Sequence, residues 1–425
     1  MIRSLTLLAL SLSFSSLPAA DWPQFRGPTA DGISTAKNLP TSWSSDKNIA
    51  WKKEIPGRGW SSPVLSGGKL YLTTALITDG GQESNPKANR SLRALCLDAA
   101  TGNILWDQEV FKQDGPKAPD TVHSKNGHAS PTPIVAGGRL YVHFGHQGTA
   151  CLDLTGKKIW ENRSFFYQPR HGNGGSPVLS AGHLIFSCDG TEEHFILALK
   201  ASDGTRAWKF PRPTHAVKKF AFSTPAVFTI GGKLQVISPG ADMVNSLDPA
   251  TGKEFWRATY EGYSNVPMPA WGDGLVYVSS AFDSPEVLAI DPNGAGDITA
   301  TNVKWVETKY APCSPSMIFH DGLLYMLNDT GFVACREGKS GKLLWVSDRI
   351  LKGSSASLLL NTSTTGNKLY ALDEFGKCAI LAAGKEFKLL TTNTLNDEKT
   401  LASLAVDDGV IYLRGEKAMY CIREK

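Results

Sequence analysis

The side chains best suited to proton transfer or metal ligation near neutral pH are the nine histidines. Six of them, His123, His128, His146, His171, His194 and His215, fall in long polar connections between apolar runs. Arg170 joins His171 in "YQPRHGNGG", residues 167–175, and with these histidines could form a ligand pocket or metal site. His128, His146, Arg170 and His171 are the candidate ligand-binding residues; no catalytic residue can be assigned. The spacing gives no metal site. There is no His-x-His pair and no His-Glu-x-x-His helix, and His143 and His146 stand three apart across a strand end. The acidic "CDGTEEH", residues 188–194, lacks the alternating ligand spacing of a calcium loop and reads as a solvated turn. A nucleophile elbow and a P-loop are both missing.

The elements that must position these residues repeat along the chain. "LDAATGNILW" (97–106), "LDLTGKKIW" (152–160), "KASDGTRAW" (200–208), "LDPATGKEFW" (247–256) and "EGKSGKLLW" (337–345) share an acidic or polar start, a Gly turn and a Trp. Before each comes a longer phrase: Ser/Thr-Pro, an apolar run, a Gly-rich turn and a second run, as in "SSPVLSGGKLYL" (61–72) and "SPTPIVAGGRLYV" (130–142). A third run follows, such as "TACLDL" or "FVACRE". Each unit is thus four short strands with period-two alternation, the Gly supplying the left-handed residue of a tight hairpin.

Four-stranded units recurring about every 45 residues predict an all-β fold, an eight-bladed β-propeller of antiparallel blades, with seven blades as the alternative. Six units are clear, and weaker ones lie near 354–395 and 401–425. The last stops one strand short, and "NIAWKKEI" (48–55) can supply that strand, closing the ring from the N-terminal side. Trp51, Trp106, Trp160, Trp208, Trp256, Trp305 and Trp345 then occupy one place on the fourth strands, each covering the next unit as a structural plate. Strand order puts the connections between blades on one face with the long, varied loops, and the short hairpins on the other. His128, Arg170 and His171 precede innermost strands and should approach the central channel.

Residues 1–20, "MIRSLTLLALSLSFSSLPAA", read as a secretory signal peptide, too short in its apolar core to span a membrane. Residues 21–47 are expected to pack on a propeller of residues 48–425, pinned by Trp22 and Phe25. Of the seven cysteines, Cys96, Cys151, Cys335 and Cys421 occupy matching positions in different units, which a disulfide could not join, so mostly free, buried thiols are expected. A net charge of +4 without a basic run gives no support for nucleic-acid binding.

The repeated Asp-x-x-Thr-Gly-x-x-x-Trp phrases resemble the bacterial pyrroloquinoline quinone (PQQ) repeat propellers, and "DWPQFRGPTADGIS" resembles the start of an exported subgroup. That family holds PQQ-dependent dehydrogenases and also non-catalytic scaffolds such as BamB. The resemblance implies an exported protein, periplasmic or secreted, that needs no cofactor and, as a monomer, binds an envelope or extracellular partner, or a small ligand at the channel mouth. The alternative it implies is an oxidoreductase using PQQ and calcium. A third reading is a carbohydrate-binding or carbohydrate-active propeller, with Phe165, Phe166 and Tyr167 lining a groove.

Overall fold

The structure, a computed structural model, describes residues 21–113, 118, 121–280, 282–353, 356–396 and 398–424. The signal peptide expectation lies outside them. Eight antiparallel sheets form a closed eight-bladed ring. Counted along the chain, blades 1 to 8 begin with the innermost strands Val64–Ser66, Ile134–Ala136, Val178–Ser180, Ala226–Ile230, Ala270–Gly272, Ile318–His320, Ala356–Asn361 and Ala405–Asp407. Blade 8 takes its outer strand, Ile49–Glu54, from the N-terminal side, antiparallel to Ala418–Ile422. No described helix is long and apolar enough to cross a membrane.

With one exception, the repeated phrase folds into the same joint. In blade 1 the Asp98 carboxylate accepts the Thr101 N–H at 2.8 Å and its hydroxyl at 2.7 Å, which starts the turn. Gly102 then takes φ +72°, and a Cβ there would lie 2.6 Å from the Trp51 ring of blade 8. The turn needs glycine for two reasons, its backbone sign and its neighbour's indole. Six of the seven indoles donate to a turn carbonyl of the following blade, Trp51 to Ala99, Trp106 to Leu154 and Trp160 to Ala201, each at 3.1 Å. Trp208 reaches Pro249 at 3.1 Å, and Trp305 and Trp345 reach Gly338 and Gly384 at 2.9 Å.

Trp256 departs from the pattern. The turn that should receive it is enlarged to "DPNGAGDITATN", and Gly296–Asp297 instead adds a parallel strand beside Trp256 and Arg257. Fully buried, Trp256 donates to Gln235 Oε1 of its own blade at 3.0 Å.

Among the described residues none of the seven cysteines forms a disulfide. Four of them lie opposite an indole: Cys96 pairs with Trp106, Cys151 with Trp160, Cys335 with Trp345 and Cys421 with Trp51. Ala198, Ser246 and Ala289 take the same place before the remaining three. The position demands a small side chain because a tyrosine flanks it in five blades, with Tyr–Trp ring centroids 5.9–6.4 Å apart. Cysteine is one way to be small and apolar there.

Residues 21–47 cross the hairpin end of the channel. Trp22 bridges to Leu65 of blade 1, and Val135 of blade 2 donates to the Pro23 carbonyl at 2.8 Å. Arg26 reaches the Met317 carbonyl of blade 6 at 2.8 Å. Ile33–Ser34 then adds a parallel strand inside blade 7. Trp43 ends up buried in the cluster joining blades 7 and 8, where no repeat tryptophan stands.

Candidate functional site

With its hairpin end crossed by the N-terminal segment, the channel becomes a blind cavity of about 880 Å³ whose floor includes Phe25 and Arg26. Its walls come from connections between blades and from loops between second and third strands, so the mouth lies on the long-loop face. That volume falls in the range of sites for small ligands or short segments.

Deep in the wall runs a belt of hydroxyls from residues that open the innermost strands. The Ser62 N–H donates to Thr132 Oγ1, the Thr132 N–H to Ser176 Oγ and the Ser176 N–H to Thr224 Oγ1, each at 2.9 Å. Met268 donates to Ser316 Oγ at 3.0 Å, Ser357 Oγ to Ser403 Oγ and the Ser403 N–H to Ser62 Oγ, both at 2.9 Å. The backbones of blades 1, 2, 3, 5 and 8 are thereby tied to the next blade's side chain, and blade 7 is tied to blade 8 through its own hydroxyl. An oxygen that accepts in this way keeps its own hydrogen to offer elsewhere. Met268, which has no hydroxyl, interrupts the belt between blades 4 and 5.

Nearer the mouth the wall is aromatic and cationic. His123 and His171 stand 5.8 Å apart, His171 and Phe220 5.4 Å, Phe220 and Tyr263 5.5 Å, and Tyr263 and Phe282 6.1 Å. These edge-on contacts form one arc drawn from five separate segments. Lys125, Arg170, Lys218 and Lys219 line the same cavity, against a single carboxylate among the described residues, Asp329. Lys125 pairs with Glu374 at 3.2 Å, and Lys218 donates to Tyr263 Oη at 2.6 Å with Asp283 at 3.7 Å. Burial raises the Asp329 carboxyl above its ordinary range, opposed by hydrogen bonds from Ser314 and the Cys313 N–H. Burial, with Arg170 and His123 alongside, lowers the His171 pKa.

The four sequence candidates separate here. Arg170 and His171 line the cavity, with His171 held at φ +64° and its carbonyl accepting the His123 N–H at 3.2 Å. His128 does not line it: Trp60 and Ser61 both donate to the Ala129 carbonyl, and the segment presents Asn126 and Ser130 to the cavity instead. His128 is left 7% exposed with its Nε2 unpartnered, and burial lowers its pKa to about 3. His146, 1% exposed, is hydrogen-bonded to Asn173 at 3.2 Å and to Gln147 at 3.0 Å beneath the loop. Phe165 and Tyr167 are buried in a cluster with Phe186 and Phe195, and of the three rings only Phe166 is exposed.

Lys219, Phe220, Tyr263, Phe282 and Asp329 escaped the sequence reading. The Ser/Thr-Pro phrase was visible as a strand start, and its hydroxyl was the available signal for the belt.

Against known proteins, the family described as outer membrane protein assembly factor BamB matches residues 33–162, 90–242 and 240–424. The chain belongs to the BamB family. Among curated proteins no sequence matches it. BamB from Moraxella catarrhalis superposes with a TM-score of 0.58 at 14% identity, covering 88% of this chain and 99% of that one. The quinohemoprotein alcohol dehydrogenase of Comamonas testosteroni gives 0.65 at 14% identity, covering 96% and 81%. A europium-containing methanol dehydrogenase gives 0.67 at 12%, covering 94% and 90%. At such identities the BamB-family chain shares a fold with both kinds of protein, and the fold alone does not choose between their functions.

The dehydrogenase likeness raises the fit of a calcium-held quinone. Calcium takes six to eight oxygen ligands, usually several of them carboxylates. Among the described residues the cavity wall has one carboxylate, and its Oδ2 already accepts the Cys313 and Ser314 N–H groups. Among the described residues no three His, Cys, Asp or Glu side chains group to hold a metal. These residues do not fit that assembly, and no chemical step follows from it.

Proposed function

We propose that the protein is an exported, non-catalytic binding propeller, periplasmic or secreted, that engages a partner protein or ligand through its long-loop mouth. The observation that supports this reading is the blind cavity, with the chain's own residues 21–34 across one end and a cationic, aromatic wall at the other. Arg170 and His171 are the sequence candidates proposed to contact the occupant. The indole joints serve as scaffold, keeping the loops in register.

Photo-crosslinking amino acids at Phe282 and Thr191 on the mouth, and at Lys253 and Asp408 on the hairpin face, test this in the native envelope. One recurrent adduct from the mouth sites, absent from the hairpin sites, is expected. Adducts from the hairpin face alone would overturn the reading. Titration of the mature protein with PQQ, with and without calcium, tests the alternative: calcium-dependent binding at one molecule per chain would displace the proposal.

A further inference from the structure

We infer that the cavity accepts an extended acidic segment of another polypeptide, one that also carries aromatic or other apolar side chains. This rests on the mouth being the binding surface, as proposed above, and goes on to name the chemistry of the occupant.

Charge is the first ground. Arg26 is sealed into the floor, donating to the Asp31 and Met317 carbonyls. Lys125 and Lys218 face Glu374 and Asp283. Arg170 and Lys219 are exposed and have no acidic partner among the described residues. Two uncompensated cations on a concave, partly apolar wall concentrate positive potential, and the complementary occupant is an anion.

The hydroxyl belt is the second. Its oxygens are committed as acceptors to backbone N–H groups of the preceding blade, so the hydrogens of Ser62, Thr132, Ser176 and Thr224 remain for an occupant. Carboxylates and peptide carbonyls both offer acceptors, and an extended chain offers them along its whole length.

The rim separates a polypeptide from a small anion. Val217 is 100% exposed, Phe282 54% and Val266 37%, all lining the same mouth. A small anion between Arg170 and Lys219 would leave these side chains in water. A chain that continues out of the cavity would cover them with its own apolar residues.

Calorimetric titration of the full mature protein tests the inference with four probes. They are a capped decapeptide of Asp, Glu and Phe, its Asn/Gln/Phe counterpart, its Asp/Glu/Ser counterpart, and naphthalene-2,6-dicarboxylate. The acidic aromatic peptide is expected to bind at least about tenfold more tightly than either other peptide, and to weaken about tenfold between low and high salt. Combined Arg170→Glu and Lys219→Glu substitution should weaken it by about tenfold or more at unchanged melting temperature. Phe282→Ser should weaken the peptide and not the dicarboxylate. Equal binding of the Asn/Gln/Phe peptide would overturn the inference. Binding of the dicarboxylate without the peptide would overturn it too, while leaving the cavity as the site. If no probe binds yet mouth crosslinks persist, the acidic segment is wrong and the mouth reading stands.

Discussion

The two ends of the channel are built by opposite rules. At the hairpin end a single joint recurs: a turn carboxylate, a left-handed glycine, an indole from the preceding blade and a small residue opposite it. At the mouth nothing recurs. Its aromatic arc takes His123, His171, Phe220, Tyr263 and Phe282 from connections that share no spacing. The difference teaches where constraint lies. Substitutions at the hairpin end should be felt as stability, and substitutions at the mouth as binding.

The largest losses are expected where the closed end is irregular and has no second copy to share the load. Trp43, 4% exposed, fills the junction of blades 7 and 8, so Trp43→Ala should cost about 3–5 kcal/mol in denaturant unfolding. Gly102→Ala sets a Cβ against the Trp51 ring at φ +72° and should cost about 2–4 kcal/mol. A loss below about 0.5 kcal/mol for both would mean that the joints do not govern stability.

Beneath the mouth lies a layer that titrates. Burial lowers both His128 and His143 to about 3 from an ordinary 6.5, so the unfolded chain takes up protons more readily than the folded one. Stability supplied by these two neutral rings is therefore complete above pH 6.5 and is lost as pH falls toward 3. Asp189, buried against Arg212 at 3.0 Å, runs the other way, its carboxyl raised to about 6 from 3.8. Protonating it favours the fold between those values, offsetting one histidine of the two. From these three groups a net loss of about 1 kcal/mol per pH unit is expected between pH 6 and pH 4. Denaturant titrations across that range check it, and His128→Gln should flatten the slope.

The contrast between the ends also explains what could be read from the sequence. Gly102 and Trp51 are legible because the same phrase recurs until its period declares a blade, and the short eighth unit then asks for a strand that 48–55 can supply. Trp256 shows the limit of that logic. It stands where a repeat Trp should, yet the enlarged turn at 291–302 removes its acceptor and Gln235 takes over. Arg170 and His171 reach the cavity because they precede an innermost strand. His128 occupies the equivalent stretch one blade earlier and is turned inward by two N–H groups on the Ala129 carbonyl, a bond that no local pattern announces. The arc was illegible for a similar reason: Phe220 and Tyr263 become neighbours only once blades 3, 4 and 5 are placed.

The belt lies between the two ends and should show an intermediate effect. Ser176→Ala removes the acceptor of the buried Thr132 N–H while keeping the backbone and the strand. A loss of about 1–2 kcal/mol is expected, below the joints and above the mouth. Met268 is the natural control, being the position where the chain already does without a hydroxyl. If Ser176→Ala is neutral in stability, the belt belongs with the mouth as a binding surface and not with the scaffold.

The smallest effect is the one that defines the mouth. Arg170→Ala and Lys219→Ala each remove an exposed side chain with no ion pair among the described residues. Each should change unfolding free energy by no more than about 0.5 kcal/mol. The loops that carry them are held by backbone bonds, Phe222 N–H to Asn265 at 2.7 Å and Ser264 N–H to Phe220 at 2.8 Å for the Lys219 side. Those bonds do not depend on the cations, which are left to whatever enters the cavity. A stability loss above about 1 kcal/mol from either variant would show the wall to be part of the scaffold, and the division between the two ends would fail.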